Sequence, residues 1–276
     1  MSRRLKGTLS REFFFISIIL FIVEFVRGAY LITFLPNYAV ERLGFSLAIV
    51  GIAVSAHYLT DTVVKTAIGY LLDRFSARFV VQIGLLLSLI GLFVMQYVHQ
   101  PAVLIFTAAI YGIGASPVWL VSLGFVKQEN RAQQMGYLYT GWLIGLGTGP
   151  VVINFFIDYS YIVAFWFMVG LWIVGILLSF GMKSGKKTSI SMIPLKQQLG
   201  QLTNRLKSMG IFIPGMILQT MAAGMLVPIL PSFATKYLGL SHTQYSYVLI
   251  AGEPVLYWDW YQWGNCLICM KKSGFW

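Results

Sequence analysis

Residues 35–46 read LPNYAVERLGFS, and residues 230–241 read LPSFATKYLGLS. The second stretch repeats the first at an offset of 195 residues, with Leu, Pro, Ala, Leu, Gly and Ser at matching places and Tyr38 answered by Phe233. Each copy closes a long apolar segment. A repeat of this period in so apolar a chain implies two membrane halves built on one plan, with the repeated turn at the outer end of each.

Composition agrees. Of the 276 residues, 58% are hydrophobic and only 11% charged, and the mean hydropathy is +0.75, which excludes an ordinary soluble domain. Apolar runs long enough to cross a hydrocarbon layer of ~30 Å recur. They predict spans near 13–34, 47–71, 79–98, 102–125, 135–157, 161–182 and 211–233, with an eighth beginning around 242–251. Backbone groups in lipid must be satisfied within their own segment, so the spans are helices. A barrel would instead show alternating segments of ~10 residues, and none appear. The expected class is therefore an all-α polytopic membrane protein. Its first span is retained: it is too long for a signal-peptide core, it carries Glu24 and Arg27, and it lacks a small-residue cleavage site.

Positive charge sets the expected orientation. The N-terminus and the 72–78, 126–134 and 183–210 loops together hold 14 of the 20 Lys and Arg residues, whereas the alternate loops hold Arg42 and Lys236. By the positive-inside rule the N-terminus is cytoplasmic. The formal net charge of +11 then reports topology, not nucleic-acid binding, and the implied electrostatic partner is the anionic lipid of the inner leaflet. The basic loop 183–210 has no acidic residue. Leu195, Leu199, Leu202 and Leu206 recur there at spacings of three and four, the pattern of an amphipathic surface helix. The expected organisation is a six-helix bundle over 1–182, a cytoplasmic linker over 183–210, the start of a second bundle over 211–251, and a tail over 252–276.

Charges within the spans point to function. Glu24 lies midway along the first span with Arg27 one turn on, and His57, Asp61 and Lys65 form a stripe at intervals of four in the second. A lone charge at a helix centre costs roughly 2.5–3.5 kcal/mol on insertion scales, so a group of them implies mutual pairing or a wet cavity. On the functional reading Glu24 and Asp61 accept protons, while Arg27 biases them or grips an anionic head group. On the structural reading the set is a buried ion pair that fixes helix register. Lys65, nearer the cytoplasmic end, is expected to snorkel.

Two motifs add a resemblance. The run Gly69-Tyr-Leu-Leu-Asp73-Arg74-Phe-Ser76-Ala77-Arg78 resembles the G-x-L-A-D-R-x-G-R-R signature of the major facilitator superfamily, departing from it at Ser76 and Ala77. Gly in such a loop lets helices approach, Asp73 can accept bonds at a helix terminus, and Arg74 and Arg78 would serve a cytoplasmic latch. In the fifth span Gly141, Gly145 and Gly149 recur at intervals of four before Pro150. Gly145, Gly149 and Pro150 resemble the superfamily's antiporter motif, whose last two glycines are here Ile153 and Asn154. A glycine stripe also serves tight helix packing alone.

A narrower resemblance runs through nearly everything up to residue 250. Glu24-Phe-x-Arg27-Gly-x-Tyr30, His57…Asp61, Ser116-Pro-x-Trp119, Gln134-Met-Gly-Tyr-x-Tyr139-x-x-Trp142-Leu, Leu218-Gln219 and Val227-Pro-Ile-Leu-Pro-x-x-Ala-Thr-Lys236 are similar to the proton-coupled glycolipid flippases of Gram-positive bacteria. The resemblance implies that Glu24, Arg27 and Asp61 form the proton-linked polar part of the cavity. It also implies that Trp119, Trp142 and His57 contact substrate, the indoles facing a sugar ring. Asp73 and the Gly149-Pro150 pair look more like general drug antiporters. The fourth span, 102–125, contains no charge, so any proton coupling must come from the first two.

The tail departs from the pattern. Residues 253–276 hold four of the eight Trp and both Cys, Cys266 and Cys269, where the first half predicts a second Gly-x-x-x-Asp-Arg loop. One Cys-x-x-Cys with no nearby His supplies only half a metal site. The expectation is a shifted reading frame and a chain cut short, unable to transport by itself. The full reading is a non-enzymatic, cofactor-free, proton-coupled antiporter in a bacterial plasma membrane that flips or exports an amphipathic glycolipid. Multidrug or small-metabolite antiport and a non-transporting product are the alternatives.

Overall fold

The computed structural model describes residues 10–182 and 229–252, with the single positions 210, 214 and 218. The expected linker and the tail beyond 252, with its cysteines, lie outside those residues apart from position 210. All regular structure among the described residues is helical: α1 (Arg11–Gly28), a π-helical turn (Ala29–Phe34), α2 (Leu35–Glu41), α3 (Leu47–Arg74), α4 (Ala77–Met95), α5 (Pro101–Gly124), a 3-10 turn (Gln128–Asn130), α6 (Arg131–Tyr159) and α7 (Tyr161–Ser179). Two further helices, α8 (229–236) and α9 (242–252), follow. Six helical segments are long and apolar enough to cross a membrane, and they match the first six predicted spans.

The ends are marked by side chains that the sequence supplies. Ser10, Ser46, Ser76 and Ser160 each accept a backbone N–H at the start of a helix, which satisfies donors that have no partner within the helix. The first span runs unbroken from Arg11 to Glu41 because α1 and α2 are joined through the π-helical turn. There the Leu35 N–H reaches back five residues to the Tyr30 carbonyl. Pro36 supplies the physical reason, since it has no N–H to donate and its ring clashes with the carbonyl four residues back in an α-helix.

The sequence repeat is also a structural repeat. In the first copy the Arg42 and Leu43 N–H groups donate to the Tyr38 carbonyl at 3.0 and 3.2 Å. In the second, Tyr237 and Leu238 donate to Phe233 at the same two distances. Phe45 donates to Ala39 as Leu240 does to Ala234. Gly44 and Gly239 follow with φ of +67° and +65°, a left-handed turn that costs glycine nothing and other residues strain.

The bundle closes around α1 and α5. Helix α5 packs on α3 and α4, α1 packs on α6 and α7, and α4 meets α7. The α1–α6 contact depends on small residues. A Cβ on Gly145 would lie 2.7 Å from the Phe21 carbonyl oxygen, and one on Gly149 would run into the Phe25 carbonyl, whereas Gly141 has open space. The predicted stripe therefore divides, and two of its three glycines seat the charged helix.

Candidate functional site

Two charged pairs, one on α1 and one on α3, lie inside the bundle within electrostatic reach of one another. Arg27 Nη2 lies 3.5 Å from Glu24 Oε1, and Lys65 Nζ lies 2.6 Å from Asp61 Oδ2. Glu24, Arg27 and Asp61 are buried. Glu24 and Arg27 stand within electrostatic reach of Asp61, so the trio expected from sequence shares one region, and Lys65, expected to snorkel, pairs with Asp61 instead. Two carboxylates and two cations leave the set formally neutral, the condition under which buried charge is tolerated.

Helix α5 holds α3 in register beneath this set. The Ser116 hydroxyl donates to the Asp61 backbone carbonyl at 2.9 Å, and the Thr60 hydroxyl lies 3.0 Å from the Ala109 carbonyl oxygen. His57 is fully buried in the same interface, its Nδ1 3.3 Å from the Ala108 carbonyl oxygen and its ring stacked on Tyr111 at 5.5 Å. Tyr111 in turn meets Tyr30 and Trp172. His57 therefore sits in the wall behind the charges. Several buried polar atoms around the set have no hydrogen-bond partner: Glu24 Oε2, Arg27 Nε, Asp61 Oδ1, His57 Nε2 and the Tyr111 hydroxyl. Buried unsatisfied groups are costly and normally rare, so five in one neighbourhood mark a place suited to a polar ligand.

The aromatic residues adjoin this region. Trp119 of α5 and Trp142 of α6 lie 6.2 Å apart between ring centroids, both half-buried, and Tyr139 meets Trp119 at 5.2 Å. Trp142 also approaches Glu24, so the aromatic cluster borders the acid. Tyr139 and Ser116 stand inside the quoted matches, whereas no motif in the sequence points to Tyr111.

The loop motif lies elsewhere. Gly69 is exposed with open space where a Cβ would be, so it seats no helix among the described residues. Asp73 is half-buried. Arg74 covers the Tyr70 ring at 4.4 Å, and Arg78 reaches the Met182 carbonyl at 3.5 Å and the Phe180 ring. Pro150 is buried within α6 beside Gly149.

A second polar group joins the two copies of the repeat. Glu41 accepts from the Tyr161 hydroxyl at 2.7 Å, lies 3.5 Å from His242 Nε2 and is approached by the Thr235 hydroxyl at 3.4 Å. Asn37 Nδ2 lies 3.2 Å from His242 Nδ1. Asp158, at the end of α6, accepts the backbone N–H groups of His242 and Thr243. Sequence reading missed this group because its members stand alone in loops and at helix ends.

Comparison with known proteins gives this architecture a family. The Major Facilitator Superfamily profile matches residues 14–254, and the chain belongs to that superfamily. It is 34% identical over 248 residues to the "Proton-coupled antiporter flippase LtaA" of Staphylococcus haemolyticus, covering 90% of this chain and 62% of that protein. To the protein of the same name in Staphylococcus aureus (strain USA300) it is 35% identical, covering 88% of this chain and 61% of that one. The chain thus spans about three-fifths of the length of these relatives. Among solved structures, the nucleoside transporter NupG superposes with a TM-score of 0.71 at 16% identity, covering 93% of this chain and 68% of that one. A D-xylose-proton symporter superposes at 0.63 and 14%, covering 87% and 65%. These two likenesses establish the fold alone.

Proposed function

We propose that the protein is a secondary active transporter that exchanges protons for an amphipathic, glycolipid-type substrate by alternating access, with its N-terminus in the cytoplasm. The observation that carries this reading is the buried trio Glu24, Arg27 and Asp61, with the half-buried Lys65 on Asp61, near the Trp119–Trp142 pair. The buried carboxylates Glu24 and Asp61 offer places within the spans where a proton can be held, and indole faces suit a sugar ring. The relatives named as proton-coupled antiporter flippases support the same choice. Anionic lipid at the basic cytoplasmic loops is the second expected partner.

Exchange requires that proton and substrate exclude one another. In the purified chain held in lipid nanodiscs, binding of diglucosyl-diacylglycerol should weaken as pH falls, and Asp61→Asn or Glu24→Gln should remove that dependence. Binding indifferent to pH would overturn the exchange reading. The alternative, a proton antiporter for drugs or small metabolites, is favoured by the Gly145–Gly149–Pro150 seat against α1 and by Asp73. Binding of hydrophobic cations with no response to glycolipid would establish it instead.

A further inference from the structure

The four charges do not share one another equally. Asp61 has a contact pair with Lys65 at 2.6 Å, while Arg27 is engaged with Glu24 at a looser 3.5 Å. The lysine stands four residues after the aspartate on α3, the spacing and order in which a helix brings an acid and a base together most favourably. Only one oxygen of Asp61 is used, because Oδ1 has no partner. Exposure separates the two cations as well: the side chain of Arg27 is 9% exposed and that of Lys65 32%, against 5% for Asp61. Arg27 is enclosed, whereas Lys65 can leave its partner and keep its ammonium hydrated on a flexible stem. The α3 backbone at Asp61 stays fixed against α5, since Ser116 holds the Asp61 backbone carbonyl and Thr60 binds α3 to α5.

We propose that Lys65 is a fourth member of the proton-coupling set, a positioning residue whose ammonium holds Asp61 as a carboxylate and lets go when Asp61 takes a proton. The inference deepens the proton-exchange reading above and rests on it. The groups within electrostatic reach of the pair are Glu24 and Arg27 from α1 and His57 and Tyr58 from α3, while Tyr111 from α5 and Trp142 from α6 face Glu24 and Arg27. With Lys65 on Asp61, Arg27 is left to Glu24 and each acid has its own base. With a proton on Asp61 the set gains one positive charge, and the most exposed cation is the one free to move.

The test is a proton titration of Asp61 in the purified 276-residue chain in lipid nanodiscs. It is followed by infrared difference spectroscopy with carbon-13-labelled aspartate, and the band is assigned by its loss in Asp61→Asn. Lys65→Met and Lys65→Gln should reach half-protonation at about tenfold lower proton concentration than the native chain, the effect of losing an opposite charge at contact. Lys65→Arg, which keeps the charge, should stay within about threefold of native. If Lys65→Met titrates within about threefold of native, or Lys65→Arg moves as far as Lys65→Met, the assignment is overturned. The measurement needs no transport. Should glycolipid binding prove indifferent to pH while the Asp61 titration still answers to Lys65, the exchange reading falls and the counter-ion role stands.

Discussion

Asp158 grips the start of a helix 84 residues further along the chain, its two carboxylate oxygens accepting the backbone N–H groups of His242 and Thr243 at 3.1 and 2.7 Å. A carboxylate there satisfies donors that α9 cannot satisfy internally and lies at the positive end of its dipole. The same helix is capped from within, because Ser241 and Gln244 exchange side-chain and backbone bonds at 2.9 and 3.1 Å. Asp158 therefore docks α9 to α6 without being needed to form it.

Replacing Asp158 by Ala should leave α9 helical and loosen its attachment. The expected cost is about 1 kcal/mol, with faster hydrogen exchange at the amides of His242 and Thr243. Unchanged exchange at both amides would count against the docking role.

The glycine seat makes a sharper pair of variants. Gly149→Val places branched carbon against the Phe25 backbone and should cost about 1–3 kcal/mol, read as a lower melting temperature in detergent. Gly141→Ala, two motif steps earlier with nothing near its Cβ, should be neutral or gain about 0.5–1 kcal/mol. Equal loss at both would show that the stripe acts through helix flexibility and not through contact with α1.

Trp172 has a structural task separable from the site. Its indole N–H donates to the Leu85 carbonyl at 2.8 Å from full burial, and its ring supports Tyr111. Trp172→Phe removes this second bond to a carbonyl already inside α4 and should cost about 0.5–1.5 kcal/mol. The same melting assay checks it.

Contact between the repeat copies can be trapped. With Cys266 and Cys269 changed to Ser, cysteines at positions 41 and 235, where Glu41 and Thr235 now meet, should be joined within one chain by a short bis-maleimide. Adding glycolipid should change the yield if α8 and α9 move relative to the first bundle during exchange. A pair that never cross-links would mean the copies do not meet in the membrane.

Much of the fold was legible because membrane spans are written in long, unambiguous runs. The six described spans needed only length and hydropathy, and the repeated LP…LG.S turn was visible as letters before it was visible as matching φ angles at Gly44 and Gly239. The buried charges were legible for the opposite reason, since ionised residues are rare in such runs. What escaped depends on geometry that spacing does not encode. Lys65 can turn toward water or toward Asp61 by rotating its side chain, and both choices leave the sequence unchanged. Gly141 and Gly149 are equivalent in a motif but not in a bundle, where helices touch over part of their length. Glu41 and His242 meet only because two distant turns are brought together, and neither has a local pattern that announces it.

The π-helical turn between Gly28 and Leu35 separates two jobs on one rod. A single residue taken up or released there rotates everything beyond it by roughly 100° about the helix axis. Glu24 and Arg27 lie before the turn, and Asn37 and Glu41 lie after it. The span can therefore keep its charged face locked toward the interior while the end that touches the second repeat is re-aimed. A segment that looks like one uniform rod thus carries two helical registers, one for each of its tasks.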